Sequence, residues 1–292
     1  MRGLFRMAVT GMIGAAAVSA DDSTVKCAQG LKMFVSRGTG EEMGPGVTKA
    51  VVDLIADQID GSDIQPILYP ATLEDPTYTT SVSNGTRLIR KTITEYAKAC
   101  PDSKMAWFGY SQGAQITSNN FCGMPPVWGV EQSANQTYDA ATLKELVALS
   151  QPLSKEITKN VVSVVLFGDT TQRSEASYNH GTWNNTGNGV FYRYDTSACN
   201  ALGNRIRAYC DAGDPFCDVG PFFDVNAHLQ YIQKYGKEVV QFVVGQYKNS
   251  TTSGTAASAT ASSTSPTPTN GAVGSRSIEQ NGARKVRHSF AA

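Results

Sequence analysis

The residues from Gly109 to Gly113 have the types and spacing of a catalytic serine turn. They read Gly-Tyr-Ser-Gln-Gly, and they join a short apolar run ending at Phe108 to a helix-compatible segment. The two glycines allow a sharp turn and a close approach of the helix to the strand. Ser111 is therefore expected on an exposed turn at a helix N-terminus, where free N–H groups and the helix dipole favour a developing oxyanion. The pattern predicts a serine nucleophile for acyl transfer.

A serine nucleophile needs a histidine base that is held by a carboxylate. The chain has three histidines, and His288 lies in a C-terminal tail that is predicted to be disordered. His228 follows the loop 210–217, which contains Asp214, and the chain order serine, aspartate, histidine is that of α/β hydrolases. A disulfide between the two cysteines that bound this loop would hold its carboxylate still. The predicted triad is Ser111, Asp214 and His228.

Two alternatives to this triad stay open in the sequence. Asp169 and His180 also keep the chain order serine, aspartate, histidine, and Asp169 follows the most apolar predicted strand. The structural alternative for Asp169 is a helix-capping or turn residue. Within the loop before His228, Asp211 and Asp218 compete with Asp214, and their spacing does not separate them.

An oxyanion hole needs two backbone N–H donors near the nucleophile. Gln112, the residue after the nucleophile, is expected to supply one. The segment Arg37–Gly40 ends the first predicted strand at the same edge of the sheet, so the Thr39 N–H is the natural second donor. The alternative for this segment is an ordinary flexible turn.

Apolar segments with strand-like and helix-like spacing alternate along the chain, which predicts one parallel sheet covered on both faces. Ligand and active sites of such sheets lie beyond the carboxyl ends of the strands. The predicted strands are Leu31–Val35, Ile64–Tyr69, a third ending at Phe108, Val161–Phe167 and Arg205–Tyr209. The predicted helices are Gly44–Gly61, Tyr78–Ala99, one following Ser111, a patch at Leu143–Leu149, and Leu229–Tyr247.

The two ends of the chain differ from its middle. Residues 1–20 have a basic start, an apolar stretch and the small residues Val18-Ser-Ala20, which together predict a secretory signal peptide. Residues 21–249 are expected to form the folded domain, and the Ser/Thr-rich residues 250–292 a disordered tail. The apolar stretch is too short to span a bilayer, so no membrane span is expected in the mature protein.

Charge and cysteine content indicate the protein's class and compartment. The formal net charge is zero, so nothing suggests a nucleic-acid partner. All six cysteines lie beyond the signal, and an even number in an exported chain implies disulfides. Glycosylation sequons occur at Asn84, Asn135, Asn184 and Asn249. These features predict a secreted, extracellular glycoprotein.

These motifs, taken together, resemble the cutinase and acetylxylan esterase family, the fifth carbohydrate esterase family. The matching residues span roughly 27 to 245 and keep their order and spacing. They are Arg37-Gly-Thr-Gly-Glu41, Tyr69-Pro-Ala71, Cys100-Pro101, Gly109-Tyr-Ser-Gln-Gly-Ala-Gln115, Cys122-Gly123, Phe167-Gly-Asp169, Tyr209-Cys-Asp-Ala-Gly-Asp-Pro-Phe-Cys217 and His228.

The resemblance implies a fold, a set of roles and three disulfides. The fold would be a small, lidless α/β hydrolase, a three-layer αβα sandwich with a five-stranded, mainly parallel sheet. Ser111 would be the nucleophile, His228 the base and Asp214 its orienting carboxylate, with Thr39 and Gln112 forming the oxyanion hole. The implied disulfides are Cys27–Cys100, Cys210–Cys217 and, as in the acetylxylan esterase branch, Cys122–Cys199.

The branch of the family is harder to assign. Several short segments, among them Asn84-Gly85, resemble acetylxylan esterases, whereas the apolar run Val219–Val225 resembles the apolar rim of cutinases. Phe222 and Phe223 in that run are candidate substrate-rim residues; the alternative is that they pack under the loop.

We therefore expect a secreted, monomeric serine esterase that uses no metal or cofactor. Its expected substrate is an acetylated plant polysaccharide, and the main alternative is cutin or a lipid-like polyester. An alternative from a different functional class is a non-catalytic, wall-associated protein on a hydrolase scaffold.

Overall fold

A computed structural model describes residues 25–125, 140–183 and 187–260 of the chain. The predicted signal peptide at 1–20, the sequons at Asn135 and Asn184 and the part of the predicted tail after residue 260 lie outside the described residues.

The described residues contain one parallel sheet in the order β2-β1-β3-β4-β6-β5. Six strands pair in it, so the expectation of five was wrong. The additional strand has only two residues at the sheet edge, too few for an alternating apolar pattern. The strands are β1 Leu31–Ser36, β2 Asp63–Pro66, β3 Lys104–Tyr110, β4 Val161–Phe167, β5 Asn179–His180 and β6 Ile206–Tyr209.

Helices connect these strands. They are α1 Lys49–Ala56, α2 Tyr78–Ala99, α3 Gln112–Cys122, α4 Ala140–Ser150, α5 Lys155–Thr158, α6 Ser197–Asn200, α7 Val225–Leu229 and α8 Tyr231–Thr260. The helix expected over Gly44–Gly61 is shorter, because it begins as a 3₁₀ turn at Gly46–Thr48 and its α-helical part ends at Ala56.

The sheet separates two apolar layers, as an αβα sandwich requires. Alternate residues of a strand point to opposite faces; in β3, Trp107 belongs to one buried cluster and Phe108 to the other. The first cluster includes Ile89 of α2 and Ile116 of α3. The second includes residues of α1 and α8, for example Val239.

The last helix extends beyond its expected end at Tyr247 and reaches Thr260. Its added residues are Ser, Thr, Ala, Asn, Gly and Lys, of which Ala favours helix most strongly. Among the described residues, those up to Thr252 belong to one compact unit and Ser253–Thr260 to a second. The predicted disordered tail was 250–292, and its residues 250–260 are helical in the structure.

Candidate active site

Ser111 lies on a strained turn between β3 and α3. It is the N-cap residue of α3, with φ 54° and ψ −120°, a backbone conformation that residues with a side chain rarely adopt. Strain of this kind persists only where surrounding contacts impose it, and it is concentrated at functional sites. The predicted strand–turn–helix around Ser111 is present.

The two glycines of the turn are required by close backbone approach. A Cβ at Gly113 would lie 2.0 Å from the carbonyl oxygen of Ser36 in β1. A Cβ at Gly109 would lie 2.5 Å from the carbonyl oxygen of Gly113. Both separations are too short for any side chain, so the first turn of α3 packs against β1 and β3 only because both positions are glycine.

The loop after β1 presents Thr39 and is held by a buried arginine. Arg37 donates through Nη2 to the carbonyl oxygen of Tyr69 at 2.7 Å and through Nε to that of Glu41 at 2.9 Å. The Glu41 carboxylate in turn accepts from the Gly38 N–H at 2.5 Å. These bonds connect the loop to the residues after β2 and leave Thr39 exposed on it.

Gln112 connects that loop to the serine turn. Its buried side chain donates through Nε2 to Thr39 Oγ1 at 3.1 Å and to the Thr72 carbonyl oxygen at 3.0 Å. Its Oε1 accepts from the Ser81 hydroxyl at 2.8 Å. The first N–H groups of a helix have no intrahelical partner, so the Gln112 N–H at the start of α3 is available as a donor beside Thr39.

Asp214 and His228 form a buried hydrogen-bonded pair. Their side chains meet at 2.8 Å between Asp214 Oδ2 and His228 Nδ1, and both residues are at most 5% exposed. Because a carboxylate oxygen accepts, Nδ1 carries the hydrogen and Nε2 is the basic atom of the neutral ring. The other carboxylate oxygen accepts from the backbone N–H groups of Phe216 at 2.8 Å and Cys217 at 3.3 Å.

The serine turn and the histidine meet at the carboxyl end of β4. The Ser111 N–H donates to the Phe167 carbonyl oxygen at 2.8 Å. At the next residue, Gly168, an added Cβ would lie 2.6 Å from His228 Cε1. Tyr110, directly before Ser111, donates from its hydroxyl to the His228 carbonyl oxygen at 3.1 Å. The elements that carry the three predicted triad residues therefore converge at one edge of the sheet.

The rival pair Asp169 and His180 is not joined in this way. Asp169 Oδ1 accepts from the N–H and the hydroxyl of Thr171, at 2.8 and 2.7 Å, which is the bonding of a turn residue. His180 lies in β5 against the ring of Tyr209, 5.4 Å between centroids. Burial, with the nearby charge of Arg207, lowers the His180 pKa.

The other two aspartates of the loop have structural partners. Asp211 accepts from Thr182 and binds Lys234 and Tyr235 of α8. Burial alone would raise the Asp211 pKa, but these hydrogen bonds together hold it below its usual value. Asp218 accepts from the Gly213 N–H at 3.2 Å. Of the three, Asp214 is the one bonded to His228.

One further residue at the site escaped sequence reasoning. The hydroxyl of Tyr231, the first residue of α8, donates to Asp214 Oδ2 at 2.5 Å. Burial, together with the charge of Asp214, raises the Tyr231 pKa far above its usual value, so the hydroxyl stays protonated. The only signal in the sequence is a tyrosine three residues after His228; the two residues lie on consecutive helices, His228 in α7 and Tyr231 at the start of α8.

Phe222 and Phe223 are exposed rather than packed under their loop. Their exposed fractions are 73% and 74%, among the highest of the large apolar residues described. Val219 and Val225, on either side, are also exposed. The packing alternative is therefore wrong, and the segment before His228 presents an apolar surface to solvent.

The structure contains the three disulfides that the resemblance implies: Cys27–Cys100, Cys122–Cys199 and Cys210–Cys217. Within the described ranges, no cluster of His, Cys, Asp and Glu is suited to hold a metal ion. None of the helices described is long and apolar enough to cross a membrane.

The same fold and motifs occur in a known family. The family model described as Cutinase matches residues 27–247 of the chain. The chain belongs to the cutinase family. The resemblance drawn from the motifs is thereby confirmed.

Named relatives of this cutinase-family chain are esterases. It is 31% identical over 221 residues to an acetylxylan esterase of Hypocrea jecorina, which covers 74% of this chain and 67% of the relative. It is 29% identical over 218 residues to cutinase 11 of Verticillium dahliae, covering 73% and 67%. The chain is therefore a carboxylic ester hydrolase of this family.

Solved structures agree. The catalytic core of the acetyl xylan esterase from Trichoderma reesei superimposes with a TM-score of 0.61 at 30% identity, covering 76% of this chain and all of that one (100%). Another solved acetyl xylan esterase gives a TM-score of 0.62 at 27% identity, with coverage of 76% and 100%. The α/β hydrolase fold of the described domain is that of these esterases.

Proposed function

We propose that this chain is a secreted serine esterase that removes short acyl groups, acetyl above all, from an acylated plant cell-wall polysaccharide. The observation that carries the proposal is the buried Asp214–His228 pair beside the strained turn of Ser111. A neutral histidine whose Nδ1–H is held by a carboxylate has its second nitrogen ready to take a proton, as a general base for a serine hydroxyl must.

The reaction proceeds in two acyl-transfer steps. The Ser111 hydroxyl attacks the ester carbonyl while His228 Nε2 takes its proton. The N–H groups of Thr39 and Gln112 stabilise the resulting oxyanion. His228 then protonates the leaving sugar oxygen, which leaves an acyl group on Ser111. Water, deprotonated by the same histidine, attacks this acyl-enzyme and releases the acid and the free serine.

Acetyl release from acetylated xylan tests the substrate. The mature chain should release acetate from acetylated xylan and hydrolyse p-nitrophenyl acetate, and Ser111→Ala should do neither. Hydrolysis of the small ester without any action on acetylated xylan would overturn the polysaccharide assignment and keep the esterase. Absence of both activities would favour a non-catalytic protein on a hydrolase scaffold.

A second substrate class is favoured by one observation, the exposed apolar segment with Phe222 and Phe223. Exposed apolar patches on soluble proteins mark contact surfaces. A polyester such as cutin offers the apolar surface that such a segment could contact. A cutinase activity would then show as release of long-chain hydroxy acids from solid cutin.

Export and a monomeric state complete the proposal. The three disulfides suit an oxidising compartment, and the sequon residues Asn84 and Asn249 are exposed on α2 and α8. A eukaryotic host that expresses the full sequence should secrete the protein into the culture medium. The secreted protein should begin at Asp21 and lose mass on glycosidase treatment. Sedimentation should give the mass of one chain.

A further inference from the structure

The hydroxyl of Tyr231 lies inside the hydrogen-bond network of the predicted triad. It donates to Asp214 Oδ2 at 2.5 Å, the same oxygen that accepts from His228 Nδ1 at 2.8 Å. It accepts from the Asp211 N–H at 3.0 Å, which fixes the direction of its own hydrogen. Tyr231 is 1% exposed, so water does not compete for either bond.

Asp214 needs this donor because of where it lies. The carboxylate is completely buried, and a buried charge is costly unless hydrogen bonds satisfy it. Oδ1 has two donors, the backbone N–H groups of Phe216 and Cys217. Oδ2 faces the histidine, and the Tyr231 hydroxyl is its second donor there. Without the hydroxyl, Oδ2 would be held by the histidine alone.

We propose that Tyr231 is a positioning residue of the hydrolase, whose hydroxyl fixes the Asp214 carboxylate in the orientation that aligns the His228 ring. This inference rests on the proposed triad and adds a fourth member to it. Tyr231 begins α8, whose apolar residues pack in the core beneath the sheet. Through Tyr231 the rigid domain core therefore sets the position of a carboxylate that the loop 210–217 carries.

Tyr231→Phe tests the proposal, because it removes one oxygen and keeps the packed ring. We expect kcat for p-nitrophenyl acetate to fall about 10- to 100-fold, the factor that a hydrogen bond to a charged group is worth. KM should stay within about twofold, since Tyr231 acts on the base rather than on the substrate. A loss of protein stability alone would leave kcat per labelled active site unchanged.

Tyr96→Phe is the matched control. Tyr96 is 3% exposed, accepts from the Ala28 N–H at 3.0 Å and shares a hydrogen bond of 2.7 Å with Ser103 Oγ. Tyr96→Phe therefore also removes the hydrogen bonds of a packed tyrosine hydroxyl, but near the start of β3 and away from Asp214. Both variants should lower Tm by similar amounts, and only Tyr231→Phe should lower kcat.

A double-mutant cycle with Asp214→Asn separates positioning from a general effect. If Tyr231 acts through Asp214, adding Tyr231→Phe to Asp214→Asn should change kcat by less than about twofold. An equal loss in both backgrounds would overturn the proposal. A Tyr231→Phe protein with wild-type kcat would also overturn it, as would one that does not fold. So would a loss of kcat in Tyr231→Phe that Tyr96→Phe shows to the same extent.

The outcome is distinguishable from failure of the proposed function. If the triad itself were wrong, Asp214→Asn would retain wild-type activity, or a fluorophosphonate would label a residue other than Ser111. If only the role of Tyr231 were wrong, both of those tests would succeed and Tyr231→Phe would behave as Tyr96→Phe does.

Discussion

The Ser111 N–H donates to the Phe167 carbonyl oxygen at 2.8 Å, which ties the serine turn to the last residue of β4. The next residue, Gly168, lies directly against the His228 ring. Phe167 and Gly168 therefore contact both Ser111 and His228, which are 117 positions apart in the sequence (228 minus 111). A substitution at Phe167 or Gly168 should therefore affect catalysis more than stability.

Gly168→Ala should inactivate the enzyme by displacing His228. The added Cβ would lie 2.6 Å from the ring, and Gly168 has φ +59°. A displacement of about 1 Å in a catalytic group can cost ~100-fold in rate. We expect a loss of that order in kcat/KM for p-nitrophenyl acetate.

Gly203→Ala is the control for backbone strain. Gly203 has φ +58° and no atom within 4 Å of an added Cβ. Alanine in this conformation should cost about 1–2 kcal/mol of stability at either position. Equal activity of the two variants would show that contact with His228 does not matter.

Asp214→Asn should cost far more activity than Asp169→Asn. The first variant removes the carboxylate that fixes the His228 tautomer, and losses of ~10⁴-fold in kcat are the known scale of that change. Asp169 bonds Thr171 of its own turn, so its variant should lose stability and keep kcat. Steady-state kinetics and melting curves on both proteins decide the point. A larger kinetic loss at Asp169 would transfer the triad to His180.

Phe222→Ala with Phe223→Ala should separate surface binding from catalysis. The two side chains are mostly exposed, so removing them should leave Tm nearly unchanged. The rate of p-nitrophenyl acetate hydrolysis should stay within about twofold of wild type. Adsorption to a polyester film should fall, because each buried methylene contributes ~0.8 kcal/mol. Leu54→Ala, an exposed apolar residue of α1, is the control. Unchanged film binding in the double variant would remove the argument for a polyester substrate.

Acyl-chain preference distinguishes the two substrate classes directly. We expect kcat/KM to fall from p-nitrophenyl acetate to butyrate to octanoate, because more of the branch-related motifs resemble acetylxylan esterases. An apolar rim that held the chain would instead raise it by about fourfold for each methylene. A preference for butyrate that disappears in Phe222→Ala would contradict the acetyl assignment.

Asp211 should make stability depend on pH in the acid range. Its pKa is lowered in the folded state, although burial opposes this, by hydrogen bonds from Lys234, Tyr235 and Thr182. A lowered folded-state pKa gives stability that is complete above the unfolded value of about 3.9 and is lost as pH falls through the folded value. Asp211→Asn should therefore cost about 1.5–3 kcal/mol at pH 7, the range for hydrogen bonds to a charged group.

The control for this titration is Asp57→Asn, at an exposed position. Chemical denaturation at several pH values should give a wild-type advantage over Asp211→Asn that shrinks below about pH 4. Asp57→Asn should differ little from wild type throughout. An advantage at Asp211 that is independent of pH would mean that its charge is not the source.

The sequence predicted those features that are encoded locally. The serine turn needs glycines at fixed positions, and the apolar strand before it is continuous, so Gly109–Gly113 was identifiable without a structure. The histidine and its aspartate were narrowed to a loop by chain order and bounding cysteines. Spacing alone did not separate Asp214 from Asp211 and Asp218, because the choice depends on which carboxylate meets His228 in space. The family resemblance favoured Asp214, and the structure places its carboxylate against the His228 ring.

The features that escaped prediction depend on packing between distant segments. Strand β5, Asn179–His180, has two polar residues and exists only because β6 lies beside it. Tyr231 resembles any apolar helix residue until its hydroxyl is seen on Asp214. The extension of α8 to Thr260 runs through residues with no apolar periodicity, so nothing in the pattern indicated it.

The central claim is that Ser111 is the nucleophile activated by His228. Treatment of the mature chain with a fluorophosphonate, followed by peptide mass spectrometry, tests it most directly. The account predicts one label, on Ser111, with complete loss of p-nitrophenyl acetate hydrolysis, and no label on Ser111→Ala, which should remain folded with a wild-type Tm. Labelling of another serine, or hydrolysis that persists in Ser111→Ala, would contradict it.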